Sequence, residues 1–87
     1  MRDVLIESAA FEDLQFWAKN DLKLLKKIME LIADIQKSPY AGIGKPEALK
    51  HDYKGYWSRR INDEHRLIYK ITEGEVIIAG CRYHYNG

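Results

Sequence analysis

The chain has 87 residues, which allows one domain, 1–87, with a small core. Hydrophobic residues make up 46% of it and charged residues 31%, a balance that excludes an intrinsically disordered chain. The net charge of +1 excludes a globally basic protein, and the single cysteine, Cys81, excludes a disulfide within the chain. We expect a cytoplasmic protein, because the sequence shows neither a signal peptide nor a segment long enough to cross a bilayer.

Helical periodicity follows a short first strand, predicted at residues 4–6. Apolar residues recur at helical spacing over 8–18 and again over 22–37, with Ser8 and Asp21 as candidate N-caps. The sequence Ser38-Pro39 ends the second helix. The short break between the two helices predicts an antiparallel helical hairpin.

Residues 40–55 are predicted to form a polar loop, in which Pro46 can open one helical turn over 47–50. Three strands follow, at 56–62, 65–71 and 75–85, joined by tight turns. The order β-α-α-β-β-β predicts an α+β fold, with an antiparallel sheet and the N-terminal helical hairpin packed on one face.

Residue parity assigns the strand side chains to the two faces of this sheet. An even turn at Asp63-Glu64 pairs Arg59 with Ile68, and a three-residue turn at 72–74 pairs Arg66 with Gly80. One face then carries a cationic set, Trp57, Arg59, Arg66, Arg82 and His84. The helix-covered face carries Leu67, Tyr69, Ile71, Ile77, Ala79 and Cys81. A two-residue Glu73-Gly74 turn would instead flip the last strand and move His84 to the other face.

Glu47, Arg66 and His84 together supply a carboxylate, a guanidinium and an imidazole. Cleavage of RNA through its own 2′-hydroxyl needs a base, an acid for the leaving 5′-oxygen and a cation for the phosphate. Taken singly, a solvated glutamate, a packed histidine and an arginine paired with Glu64 or Glu75 are the more common explanations. Seven basic residues against four acidic ones over 45–70 add a moderate signal for phosphate binding. No metal-ligand spacing is present, so neither a metal nor another cofactor is predicted.

Four ordered blocks of sequence resemble one known family. They are residues 44–51 (GKPEALKH), 55–61 (GYWSRRI), 64–69 (EHRLIY) and 81–85 (CRYHY). At these separations the chain resembles the YoeB/Txe branch of the RelE toxin superfamily over nearly its whole length. The resemblance implies a fold similar to small microbial ribonucleases. It also implies a type II toxin–antitoxin toxin that cuts mRNA on the ribosome and stops translation.

The same resemblance implies roles for individual residues. By position, it makes Glu47 the general base, Arg66 the phosphate ligand and His84 the general acid. It assigns substrate binding to Lys50, Arg59 and Tyr85. Trp57 and Arg82 are further candidates, because aromatic rings beside a cationic face can stack on unpaired bases.

The resemblance finally implies partners: an antitoxin of the YefM/Axe type, the ribosome with its mRNA, and a permitted homodimer. Two other functions stay open. One is a non-catalytic toxin of the ParE type that binds a topoisomerase, and the other is an RNA-binding regulator that does not cleave. Neither needs a base and an acid, so the co-occurrence of Glu47, Arg66 and His84 favours the nuclease.

Overall fold

Two helices pack against one face of a five-stranded sheet in the computed structural model, which describes residues 1–83. The α+β class predicted from the sequence is confirmed. The elements in chain order are β1 (Asp3–Ile6), α1 (Ser8–Asn20), α2 (Leu22–Lys37), β2 (Glu47–Ala48), a short 3-10 helix (His51–Tyr53), β3 (Trp57–Arg60), β4 (Arg66–Ile71) and β5 (Glu75–Gly80).

The break between α1 and α2 lies at Asp21, as the candidate N-cap in the sequence predicts. The side chain of Asp21 accepts a hydrogen bond from the backbone N–H of Leu24 at 3.1 Å, which satisfies a free donor at the start of α2. Ser8 is not a cap but the first residue of α1, after Glu7. The core-facing side of α2 consists of Leu24, Ile28, Leu31, Ile32 and Ile35. None of the helices within residues 1–83 is long and apolar enough to cross a membrane.

The sheet is mixed, with the strand order β1-β5-β4-β3-β2. Strands β2 to β5 are antiparallel to their neighbours, whereas β1 runs parallel to β5. The expectation of a wholly antiparallel sheet is corrected at this edge. No hairpin turn links β1 to β5, and parallel neighbours require such a distant connection through other elements.

Residues 47–48 form a strand and not the helical turn predicted after Pro46. Glu47 pairs with Ser58, and Ala48 pairs with Trp57. The edge of β3 would otherwise leave backbone donors and acceptors without partners, and this short strand satisfies them. Glu47 is thereby fixed to the sheet.

The register between β3 and β4 differs by one residue from the prediction. Arg59 pairs with Leu67, and Arg60 pairs with Arg66. Asn62 closes the connection, because its Oδ1 accepts the backbone N–H groups of Glu64 at 2.9 Å and His65 at 2.7 Å. The predicted even turn is wrong. A one-residue change of register exchanges the two faces of β3 relative to β4.

The turn between β4 and β5 is the two-residue alternative, Glu73-Gly74. Thr72 donates its N–H to the carbonyl of Glu75 at 3.0 Å, and Ile71 pairs with Val76. Val76 and Ile78 therefore lie in the core in place of Ile77 and Ala79.

A β-bulge then reverses part of this change. The register shifts by one residue between Ile68 and Tyr69, so that Ile68 pairs with Gly80. Beyond the bulge, the pairing returns to the parity predicted for Arg66 and Gly80.

Candidate active site

A cleft of about 220 Å³ opens on the sheet face opposite the helices. Neighbouring strands bring its walls together, since Glu47 is the register partner of Ser58 and Arg60 is that of Arg66. Its lining residues are Lys45, Glu47, Ser58, Arg60 and Arg66. The structure thus brings together two of the three predicted catalytic residues, Glu47 and Arg66.

Backbone carbonyls of the β3–β4 connection hold the guanidinium of Arg66. Its Nη1 donates to the carbonyl of Asn62 at 2.7 Å and to that of His65 at 3.1 Å. Within residues 1–83, Nε and Nη2 of Arg66 make no hydrogen bond and no carboxylate pairs with it. The simple explanation that Arg66 pairs with Glu64 or Glu75 is therefore wrong. As far as the described residues are concerned, two guanidinium nitrogens are available to bind an anion such as phosphate.

The charges in the cleft favour the binding of an anion, and one carboxylate, that of Glu47, lies among them. Glu47 is exposed on β2, and three cationic side chains share the cleft with it. Arg60 pairs with Asp63, whereas Lys45, Glu47 and Arg66 form no ion pair with any residue of the described part, 1–83. Like charges focused in a cleft raise the local concentration of an oppositely charged ligand.

Arg59 was predicted to bind substrate, and the structure places it elsewhere. Its side chain is completely buried on the helix-covered face, as the shifted register requires. Its guanidinium donates to Asp34 Oδ2 at 2.6 Å and to the Tyr69 hydroxyl at 3.1 Å. It also donates to the carbonyl oxygens of Ser38, Ala41 and Ile43. The predicted substrate contact is wrong.

Arg59 instead holds the loop that leads to the cleft. We call Arg59, Asp34, Tyr69 and loop 38–44 the Arg59 anchor. The hydrogen bond from Arg59 holds the pKa of Asp34 below its ordinary value, so the pair stays ionised at neutral pH. Gly42 has a φ of +117°, and a Cβ there would lie 2.1 Å from Asp34 Oδ2. The anchor therefore requires glycine at this position.

Trp57, like Arg59, lies on the helix-covered face and not on the predicted cationic face, because the two residues share one face of β3. It is half-buried against the helix-side core, and its ring centroid lies 4.9 Å from that of Tyr40. The prediction that Trp57 lies on the cationic face with Arg66 is wrong.

Two other residues predicted to bind substrate, Arg82 and Lys50, belong to the described part of the chain, and neither lines the cleft. The guanidinium of Arg82 lies over the ring of Phe16 in α1, 3.5 Å from its centroid. Lys50 is exposed just after β2. His84 and Tyr85 lie outside the described residues.

Lys45, Ser58 and Arg60 line the cleft, although the sequence argument did not single them out. Lys45 and Arg60 appeared only as members of the basic stretch 45–70 and of the sequence blocks 44–51 and 55–61, with no role assigned to either. Because Arg59 and Arg60 are adjacent, one of them had to face the cleft, and the register of β3 decides which one.

Comparison with known proteins assigns the family. The family model for the YoeB-like toxin of bacterial type II toxin-antitoxin system matches residues 6–85. The chain belongs to this family. Toxin YoeB of Escherichia coli (strain K12) is 50% identical to it over 76 residues, which are 87% of this chain and 90% of that protein.

Solved structures of YoeB toxins share the fold over nearly the whole chain. The YoeB dimer from Staphylococcus aureus matches with a TM-score of 0.90 and 46% identity, covering 97% of this chain and 98% of that chain. The heterotetrameric YoeB-YefM toxin-antitoxin complex from the same organism matches with a TM-score of 0.88 and 45% identity. That match covers 98% of this chain and 99% of the other. The mixed sheet with its helical hairpin is thus the fold of the YoeB toxins.

Proposed function

We propose that this chain is a metal-independent endoribonuclease that cuts mRNA on the ribosome and so inhibits translation. The observation that carries the proposal is the shared cleft, where the carboxylate of Glu47 and the guanidinium of Arg66 line one opening. A toxin that only binds a protein has no need of a base beside an anion site. Membership of a type II toxin family supports a lethal activity of this kind.

The proposed reaction uses the RNA's own 2′-hydroxyl as nucleophile. Glu47 takes the 2′-hydroxyl proton, and the 2′-oxygen attacks the adjacent phosphorus. Arg66 stabilises the negative charge that grows on the phosphate oxygens. His84 protonates the 5′-oxygen as the bond between phosphorus and that oxygen breaks. The products are a 2′,3′-cyclic phosphate and a 5′-hydroxyl, and each acid or base role contributes roughly 100- to 10,000-fold in rate.

The placement of the groups supports this division of roles. Arg66 enters the reaction already oriented, because Nη1 is held by two carbonyls while Nε and Nη2 are left for the phosphate. Lys45 and Arg60 line the same cleft and extend the cationic surface along the RNA backbone. Lys50 and Tyr85 stay in the proposal as substrate-binding residues.

We also propose an antitoxin of the YefM/Axe type and a homodimer as partners. The S. aureus relative was solved both as a dimer and in a heterotetramer with YefM. An antitoxin segment that folds on binding can neutralise a cationic cleft by placing carboxylates in it. Action on translating ribosomes places the toxin in the cytoplasm.

Mapping mRNA 5′ ends after brief expression tests the proposal, with Glu47→Gln as the inactive control. We expect new ends at codon-periodic positions within translated regions. These ends should enter a ligation-based library only after phosphorylation, because the cut leaves a 5′-hydroxyl. Ends carrying a 5′-phosphate would contradict the mechanism. Intact mRNA with inhibited gyrase would favour a ParE-type binder, and protection of RNA without new ends would favour an RNA-binding regulator.

A further inference from the structure

The chain just before His84 is held by contacts to two separate elements. On the α1 side, the backbone N–H of Cys81 donates to Asp13 Oδ2 at 3.0 Å. The carbonyl oxygen of Cys81 accepts a hydrogen bond from Trp17 Nε1–H at 2.9 Å. These bonds fix the exit of the chain from β5. They leave open how the next two residues are directed.

The second element is the start of β4, which holds Tyr83 at both ends of its backbone. The N–H of Tyr83 donates to Nδ1 of His65 at 2.7 Å, and its carbonyl accepts the N–H of Arg66 at 3.0 Å. That carbonyl belongs to the peptide group that joins Tyr83 to His84. The two bonds therefore fix the backbone of Tyr83, the residue before His84 in the sequence, beside the backbone of Arg66.

The backbone of Tyr83 needs such support. Its φ of +66° is in the left-handed region, which is unfavourable for a residue with a side chain. A strained conformation of this kind persists when surrounding contacts determine it. His65 supplies the contact to the Tyr83 N–H.

His65 is itself held firmly enough to direct a neighbour. Its side chain is buried, and its ring packs edge-on against Trp17 with centroids 4.7 Å apart. Accepting a hydrogen bond at Nδ1 requires a neutral ring with its proton on Nε2, where Glu64 lies 3.7 Å away. The buried ring thus presents Nδ1 to the backbone of the residue before His84.

We propose that His65 is a positioning residue for RNA cleavage: its Nδ1 fixes the backbone of Tyr83 beside Arg66, and Tyr83 directly precedes His84 in the sequence. This inference rests on the proposed function, in which His84 is the general acid. A misplacement of a reacting group by about 1 Å costs on the order of 100-fold in rate. The loss of the His65 contact should therefore slow the chemical step and leave RNA binding in the cleft intact.

Two variants of His65 separate positioning from core packing. In His65→Asn the amide oxygen stands near the position of Nδ1 and can accept the Tyr83 N–H. In His65→Gln the oxygen is one bond further out, near the position of Nε2. We expect His65→Gln to lower kcat roughly 10- to 100-fold with KM changed less than about twofold, and His65→Asn to recover most of the loss.

The measurement is single-turnover cleavage of ribosome-bound mRNA by the full chain, normalised to the folded fraction. Ile28→Val, which trims a fully buried side chain away from this contact, controls for reduced stability alone. Amide hydrogen exchange at Tyr83 adds a readout independent of cleavage. We expect it to be slow in the wild type and in His65→Asn, and fast in His65→Gln.

The outcomes distinguish this inference from the proposed function. Cleavage by the wild type with an unimpaired His65→Gln would overturn the positioning role alone. So would a His65→Asn variant as defective as His65→Gln, with Tyr83 exchange equally fast in both. A wild type that leaves mRNA intact would overturn the proposed function, and the positioning role of His65 with it.

Discussion

Two arginines on neighbouring strands have opposite environments in this protein. Every guanidinium nitrogen of Arg59 has a partner inside the fold, whereas Arg66 is half-exposed and only its Nη1 is bonded within residues 1–83. The two environments depend on the register between β3 and β4, because a shift of one residue would place Arg59 and Arg66 on the same face. The Arg59 anchor on one face should therefore govern stability, and the cleft on the other face should govern cleavage.

Glu47→Gln should give the largest effect on the cleft side. Loss of the proposed general base should lower single-turnover cleavage roughly 100- to 10,000-fold. The free energy of unfolding, measured in urea, should change by less than about 0.5 kcal/mol, because Glu47 is exposed and has no ion pair within the described residues. A variant that cleaved normally would remove Glu47 from the chemistry.

Arg66→Ala should come next, with cleavage reduced by about 100- to 1,000-fold through loss of charge stabilisation. Arg66→Lys keeps the positive charge but loses the planar fork, so it should recover only part of the activity. Chemical denaturation should show both variants close to the wild type in stability. Full activity in Arg66→Lys would mean that charge alone, without fork geometry, serves the reaction.

Asp34→Asn should have the opposite effect from the cleft variants, with stability reduced and cleavage kept. It removes the charged partner of a completely buried arginine, so we expect a loss of about 3 kcal/mol in the free energy of unfolding. Cleavage per folded molecule should stay near the wild-type rate. Asp63→Asn is the matched control, since Asp63 is highly exposed in its pair with Arg60 and should cost less than about 1 kcal/mol.

The Arg59–Asp34 pair also predicts a pH dependence. It concerns the difference in the free energy of unfolding between Asp34→Asn and the wild type. The pKa of Asp34 is lower in the folded state than in the unfolded chain, whose ordinary value is 3.8. The stabilisation is thus complete above that value and is lost as the pH falls through the lower folded pKa. Unfolding curves of the two proteins should converge in acid below about pH 4. A constant difference across that range would contradict an ionised Asp34 in the anchor.

Gly42→Ala should have the smallest of these effects. Alanine at a φ of +117°, with its Cβ directed at Asp34, should cost about 1–3 kcal/mol in stability. Gly74→Ala is the matched control, because a Cβ there meets no atom within 4 Å. Thermal unfolding of the two variants measures the contrast, and equal stability would show that loop 38–44 adapts without loss.

Local patterns predicted most of the elements and two residues of the site. Apolar spacing placed both helices, and Asp21 marked the boundary between them. The motif around Glu47 and the block around Arg66 pointed to the cleft in which both lie. The helix predictions are confirmed because helical periodicity and capping depend on residues that are close in sequence, whereas the catalytic roles of Glu47 and Arg66 stay predictions.

Face assignments failed where they depended on connections. Arg59 and Trp57 were placed on the wrong face because Asn62 closes an odd-numbered connection, and counting from an assumed even turn inverts every side chain of β3. The two-residue turn at Glu73-Gly74 and the bulge at Ile68/Tyr69 have opposite effects on parity, and sequence alone did not show the bulge.

By itself, the sequence determined the toxin family and the α+β class, and it singled out Glu47 and Arg66, which line one cleft. Only the tertiary structure decided which arginines are buried and which line the cleft, that β1 lies parallel to β5, and that His65 holds the residue before His84. The physical reason is that strand register and long-range hydrogen bonds are set by packing across the whole sheet. In a strand, moving by one residue exchanges the interior for the surface.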